Sequence, residues 1–249
     1  MRDFAKFSLS ATRLRPELAA EAETLDFTPI YAGDARACVP LQTNCALVRY
    51  AKTLAWMAAE IGWPEEAATW QAEAERRAAL IQKYCWNETE GFFFEYQFQR
   101  QRQLPFWSLC AYWAMWAGVA TAAQAERLVP HLARFEQEHG LTQTDQPYPS
   151  PHPEFQALQF NYPNGWPPFQ LMVIDALTAY GYHAAARRLA GKFLRLQLEL
   201  YQTTGKLWEK YNVVAGNLDC PRERYPVVPL HGWSAATVAH FGRMLFETR

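Results

Sequence analysis

The chain has 249 residues, half of them hydrophobic, and a formal net charge of −1. That is enough for one large domain with a substantial core, without the cationic excess that nucleic acid or an anionic membrane surface would attract. No apolar run reaches about 18 residues, so no transmembrane helix is expected, and Met1-Arg2-Asp3-Phe4-Ala5-Lys6 lacks a hydrophobic signal core. The five cysteines (38, 45, 85, 110 and 220) are scattered and form no CxxC pair, which argues against a disulfide framework or zinc site and for buried thiols of a cytoplasmic protein.

Helical periodicity dominates the chain. A helical stretch is expected over residues 3–22, interrupted near Pro16. Leu47, Ala51, Leu54, Ala58 and Ile61 mark the expected buried face of a helix that ends at Gly62. Pro64 opens the next helix at its first-turn position, followed by Glu65 and Glu66, where the helix dipole favours acids. Its expected stripe is Ala67, Trp70, Ala74, Ala78, Ile81 and Cys85. A short hairpin fits residues 91–96. Further helices are expected at 106–118, 122–137, 167–181, 184–202 and 232–247, with Leu189, Phe193, Leu196 and Leu200 on one side of the fourth. Three connections are long (24–41, 139–165 and 203–231), and short links elsewhere point to antiparallel helical hairpins. No interdomain linker or fixed repeat appears, so residues 1–249 read as a single helical domain.

The long connections hold the unusual chemistry. Gln159-Phe160-Asn161-Tyr162-Pro163-Asn164-Gly165-Trp166-Pro167-Pro168-Phe169-Gln170 packs three prolines, a glycine and several aromatic rings ahead of a helix. Such density of rigid backbone suits a loop that must hold one shape. With Trp208-Glu209-Lys210-Tyr211-Asn212-Val213 and Leu25-Asp26-Phe27-Thr28-Pro29 it suggests a carbohydrate site: amides and carboxylates bond hydroxyls, and aromatic faces cover the C–H faces of a sugar ring. The 15% aromatic content fits this but by itself is better read as a bulky helical core.

These same stretches carry a resemblance. The PNGWPP loop is similar to the Q-W-D-x-P-N-G-W-x-P signature of the α,α-trehalases, glycoside hydrolase family 37, and EKYNV to that family's E-K-Y-D-V. Leu25-Asp26-Phe27 resembles the family's G-W-D-F-S-S-R-W segment, Pro40-Leu41-Gln42-Thr43-Asn44 its P-V-D-L-N, and Trp86-Asn87 to Gly91-Phe92 its L-W-N…G-x-F turn. The likeness runs from about Thr24 to Phe246. It implies an all-α, (α/α)6-toroid glycosidase fold. Because about eight helices are legible against the twelve of that toroid, the chain is expected to be an incomplete barrel, matching the C-terminal part of the family's catalytic domain. Apolar surface on the open side of such a barrel would favour self-association.

The resemblance also implies roles. Inverting glycoside hydrolysis needs one carboxyl group to protonate the leaving oxygen and another to activate water. Asp26 falls at the family's acid position, and its apolar neighbours would favour the protonated form; alternatively, it caps the turn at Thr28-Pro29. Glu209 falls at the base position, where Lys210 would favour the ionised form; alternatively, it is an exposed Glu–Lys neighbour pair. Asn44, Gln159, Asn161, Asn164, Trp166 and Tyr211 are candidate substrate contacts, although Asn164-Gly165 also reads as a turn dipeptide and Trp166 as a core anchor. The six histidines show no ligand spacing, and His231 is best read as structural. No metal or organic cofactor is implied, and the partner expected is a small carbohydrate.

Departures from the family pattern bear on specificity. Its arginine becomes Ile30, the P-V-D-L-N aspartate becomes Gln42, and the Q-W-D carboxylate becomes Asn161. A glycine-rich loop after EKYDV is replaced by residues 217–225, with Arg224 where the family has glutamate and Glu223 one position earlier. The chain therefore reads as a relative with altered specificity, cleaving trehalose or another small α-glycoside. The alternative is a non-catalytic carbohydrate-binding or degenerate barrel.

Overall fold

Short links alternate with long ones along the chain, and that alternation sets the architecture. The computed structural model describes residues 24–25, 27–153, 157–221, 226–229 and 232–247; the stretch expected at 3–22 lies outside them. Among these residues run α1 (Leu41–Glu60), α2 (Pro64–Cys85), α3 (Trp113–Trp116), α4 (Ala122–Leu128), α5 (Pro167–Ala179), α6 (His183–Thr204) and α7 (Gly232–Phe246). The links 61–63, 117–121 and 180–182 are short, whereas 86–112, 129–166 and 205–231 are long. In antiparallel hairpins this places every long connection at one end. Helices α1, α3, α5 and α7 touch in series as an inner layer, with α2 behind α1 and α6 behind α5 and α7.

Local chemistry sets the helix ends. α1 stops in a Schellman turn: Gly62 takes φ +79, its N–H donates to Ala59 O (3.1 Å), and Trp63 N–H donates to Ala58 O (2.8 Å). Pro64 then begins α2, with Glu65 and Glu66 in the first turn, as expected. α4 begins with a capping box between Thr121 and Gln124. α6 ends at Gly205, whose φ of +66 is open to glycine without strain.

Two expectations need correction. The buried face of α1 is Leu41, Gln42, Cys45, Val48, Ala51, Ala55 and Ala58, so Leu47, Leu54 and Ile61 are exposed. Small residues, not the bulkiest ones, allow α1 to lie close against α2. The segments at 106–118 and 122–137 are not single helices. Each splits into an α-helix and a 3-10 turn, Leu109–Tyr112 before α3 and Val129–Arg134 after α4. In α2, Ala74, Ile81 and Cys85 are buried as expected, and in α6 so are Leu189, Phe193 and Leu196.

Short strands stitch the loop end together. The hairpin near Gly91 pairs β2 (Trp86–Asn87) with β3 (Phe92–Phe93). Beyond it, β1 (Cys38–Val39), β4 (Tyr96–Gln97) and β5 (Arg102–Gln103) form an antiparallel sheet in that lateral order, β1–β4–β5. β6 (Asn164–Gly165) pairs with β7 (Tyr211–Asn212) in the register Asn164↔Asn212 and Gly165↔Tyr211.

Candidate active site

The β6–β7 pairing joins the two strongest sequence motifs. It requires a glycine at 165: a Cβ there would sit 2.3 Å from Val213 Cγ1 and 3.0 Å from Leu141 O. The glycine thus serves close backbone approach, not a left-handed turn. Gln170, in the first turn of α5, acts as a substitute strand for Leu141, its Oε1 accepting from Leu141 N (3.0 Å) and its Nε2 donating to Leu141 O (2.6 Å).

Within the PNGWPP loop the polar side chains bind the loop itself. Asn161 Oδ1 accepts from Thr144 Oγ1 (2.8 Å) and Tyr148 N (3.2 Å), and its Nδ2 donates to Tyr148 O (2.8 Å). Gln159 O accepts from both Asn164 Nδ2 (2.9 Å) and Trp166 Nε1 (3.0 Å). The Trp166 indole stacks on Phe160 at 4.2 Å and meets Trp233 edge-on at 5.9 Å. Lys210 Nζ lies 5.1 Å above the Trp166 ring, a cation–π contact in which the lysine itself is buried.

The segment bearing Glu209 is held on both sides. Its N–H donates to Val228 O (2.9 Å), its carbonyl accepts from Trp233 Nε1 (3.1 Å), and Trp208 N–H donates to the Tyr211 hydroxyl (3.0 Å). Ser234 Oγ donates to Trp208 O. Burial raises the Tyr211 pKa, keeping the phenol neutral as an acceptor. Glu209 is half-buried, and its Oε2 is enclosed within the packing.

Asp26 lies outside the described residues, as do His231, Glu223 and Arg224. Its neighbours are tethered to the same place. Gln42 Nε2 donates to Thr24 O (2.9 Å), Phe160 N to Phe27 O (3.4 Å), and Thr28 Oγ1 to Phe160 O (3.3 Å). Phe27 holds φ 44, a conformation a bulky residue adopts only when its surroundings impose it.

The candidate contacts thus divide. Gln159, Asn161, Asn164, Trp166 and Tyr211 gather around the β6–β7 weld, but all five are buried, and Asn164 and Tyr211 are 0% exposed. Asn44 is not in a loop; it sits in the first turn of α1, where its Oδ1 accepts from Arg77 Nη1 (2.8 Å) and its Nδ2 donates to Pro40 O (2.9 Å). Residues not singled out from the sequence do as much positioning, notably Trp233, Phe160 and Gln170. Trp233 could have been found from its place beside Gly232 at the start of a helix. Gln170 gives no sequence signal, because an amide in a first turn is commonplace. Glu95 is another: it is buried, accepts from Leu41 N at the start of α1 (2.6 Å), and desolvation raises its pKa to about 8.

The fold recurs in known proteins. Among solved structures, the neutral trehalase of Saccharomyces cerevisiae superposes with a TM-score of 0.75 at 24% identity, over 98% of this chain and 46% of its own. A GH63 mannosylglycerate hydrolase of Thermus thermophilus gives 0.66 at 20% identity, over 83% of this chain and 46% of its own. The fold is therefore that of the (α/α)6-toroid glycosidases. A family profile described as Trehalase matches residues 23–245, and the chain belongs to the trehalase family. It is 35% identical over 161 residues to the cytosolic neutral trehalase of Kluyveromyces lactis, covering 62% of this chain and 21% of the relative. A probable trehalase of Saccharomyces cerevisiae is 30% identical over 213 residues, covering 77% of this chain and 26% of the relative. The chain thus spans about a quarter of the curated relatives it matches and under half of these solved toroids. No helix among the described residues is long and apolar enough to cross a membrane.

Proposed function

We propose that this chain forms the catalytic end of an inverting glycoside hydrolase of trehalase type, cleaving trehalose or a related small α-glycoside to monosaccharides. The observation that supports this most is the β6–β7 pairing, which sets the Glu209 segment beside the PNGWPP loop. Glu209 removes a proton from the attacking water and Asp26 delivers one to the leaving oxygen, across a gap of about 6.5–9.5 Å that admits the water. Gln159, Asn161, Asn164, Trp166 and Tyr211 act by holding the loops in the shape that meets the sugar, and Asn44 by anchoring the start of α1 to α2. The reaction as proposed uses no metal or organic cofactor. The relatives named cytosolic trehalases support a cytoplasmic setting.

The test is sugar release by the wild type with the anomer of the first product followed by NMR. On trehalose, inversion requires equal initial amounts of β- and α-glucose, because the leaving glucose keeps its α configuration, whereas retention would give α-glucose alone. Asp26→Asn and Glu209→Gln should each lower the rate by about 10²–10⁴. Azide should rescue Glu209→Gln on an α-glycosyl fluoride, since a small anion replaces the activated water. A wild type that binds trehalose calorimetrically without cleaving it supports the second reading, a non-catalytic carbohydrate-binding barrel. The departures from the family pattern, its arginine replaced at Ile30 and the Q-W-D carboxylate at Asn161, favour that reading.

A further inference from the structure

Between the β2–β3 hairpin and the 3-10 turn Val129–Arg134 lies a cleft of about 330 Å³, with Glu90, Phe94, Leu104, Trp107 and Arg134 in its lining. That is the lower end of the ~300–1,000 Å³ of small-molecule sites, room for one sugar ring. Its walls are fixed. Asn87 Nδ2 donates to Gln103 Oε1 (2.8 Å), and Gln103 Nε2 donates to Tyr84 O and Trp86 O, both at 3.0 Å. His131 Nε2 donates to Glu90 O (2.9 Å) and Arg127 to Glu88 O, clamping the hairpin to α4 and the turn after it. Phe94 and Leu104 are buried beneath.

Two charged groups stay available. The Arg134 guanidinium lies over the Trp107 ring, 4.0 Å from its centroid, with Asp145 Oδ2 at 3.6 Å. It donates no hydrogen bond among the described residues, so stacking holds it in place with its N–H donors unspent. The Glu90 carboxylate likewise accepts none among the described residues; only its backbone N–H and carbonyl are bonded. The Trp107 backbone faces the other way. Its N–H donates to the Tyr148 hydroxyl (3.3 Å), and Tyr148 is bonded to Asn161. The cleft therefore backs onto the PNGWPP loop without sharing a lining residue with it.

We propose that this cleft is a second carbohydrate site, taking one neutral monosaccharide outside the candidate active site. Arg134 donates to its hydroxyls, Glu90 accepts from them, and Phe94, Leu104 and Trp107 cover its C–H surface. Charge selects the class of ligand. An anion would meet Glu90 and Asp145, and a cation would meet Arg134. An apolar molecule would strip water from both charges and replace none of its hydrogen bonds. A polyol carries donors and acceptors on one uncharged ring and satisfies both. The inference does not depend on the catalytic reading.

Titration of the ¹⁵N-labelled full chain with glucose, up to about 100 mM, tests it, because a few hydrogen bonds to one ring give millimolar affinity. The amides of Glu90, Leu104, Trp107 and Arg134 should shift together along one saturable curve. Glu90→Ala and Arg134→Ala should each raise the Kd of that curve at least about tenfold, the loss of a hydrogen bond to a charged group. Glu90 is exposed on a hairpin turn, so its variant should keep the dispersed spectrum of the folded chain. Arg134→Lys keeps the charge beside Asp145 but not the fork of donors, and should weaken binding too. The absence of shifts around the cleft overturns the proposal, as do shifts confined to the PNGWPP loop and the Glu209 segment. A curve indifferent to Glu90→Ala and Arg134→Lys overturns it as well, and inorganic phosphate binding there more tightly than glucose overturns the neutral ligand. A chain that cleaves no glycoside but shows this curve leaves the inference standing and rejects only the catalytic reading.

Discussion

The indole N–H of Trp233, in the first turn of α7, donates to the main-chain carbonyl of Glu209 at 3.1 Å. The same ring meets Trp166 edge-on, and Trp166 stacks on Phe160. Phe160 in turn bonds the backbone of Phe27 and the hydroxyl of Thr28. One chain of contacts therefore runs from the proposed base to the segment that carries Asp26.

Trp233→Phe keeps the ring and removes the donor. It should cost about 1 kcal/mol of stability and lower the rate of sugar release more than it raises KM, because it frees the backbone of Glu209 and leaves the sugar's loop intact. Denaturant melts and steady-state kinetics on the same preparation check both halves. Unchanged kinetics with lowered stability would reduce Trp233 to a packing residue.

Gly165→Ala places a methyl group where Val213 and Leu141 O already stand. Overpacking of this kind costs about 1–3 kcal/mol. Val213→Ala should recover part of the loss in the double variant by clearing the nearer contact. An additive double variant would mean that the clash is relieved elsewhere.

Asn161→Ala removes three hydrogen bonds that hold residues 144–148 and should destabilise the protein by about 2–4 kcal/mol. Asn161→Asp keeps the acceptor for Thr144 and Tyr148 N but cannot donate to Tyr148 O. It should lose less, and the loss should shrink at acid pH, where the carboxyl can donate. Thermal melts at two pH values distinguish these outcomes.

Glu95 links stability to pH. Its folded pKa of about 8 lies above the ordinary carboxyl value of 4.5, so the folded state holds its proton more tightly than the unfolded chain. This favours folding at acid pH and is lost progressively as pH rises from about 4.5 to 8. Glu95→Gln, still able to accept from Leu41 N, should remove that part of the pH dependence. It should be more stable than the wild type at pH 8 and close to it at pH 4.5 in urea titrations. Parallel pH profiles would show that Glu95 does not titrate in this range.

The helical hairpins were legible because caps and periodicity are local. Pro64, Gly62 and the stripe of α2 announce themselves within one turn. The buried side of α1 was not legible: it has two apolar faces, and the bulkier one is exposed, so hydrophobicity alone selects the wrong side. The motifs marked loops that the fold brings together, but not what their residues do. Amides such as Asn161 and Asn164 are equally suited to a hydroxyl or to a neighbouring carbonyl, and here the neighbouring backbone takes them. Only the folded geometry decides between those partners. Gly165 is legible as a requirement but not as a reason, since its neighbour Val213 is distant in sequence.

The weld between β6 and β7 has a consequence for how the site comes into being. It ties the start of α5 to the segment after α6, so the intervening hairpin is a closed lobe whose two ends meet only once Tyr211 and Asn212 have been synthesised. A nascent chain that has produced the PNGWPP loop still lacks the partner that gives the loop its shape. The lobe should therefore open and close as one cooperative unit. In native-state hydrogen exchange, the amides of α5 and α6 would share a single opening free energy, and a change at Gly165 would lower it for both helices at once.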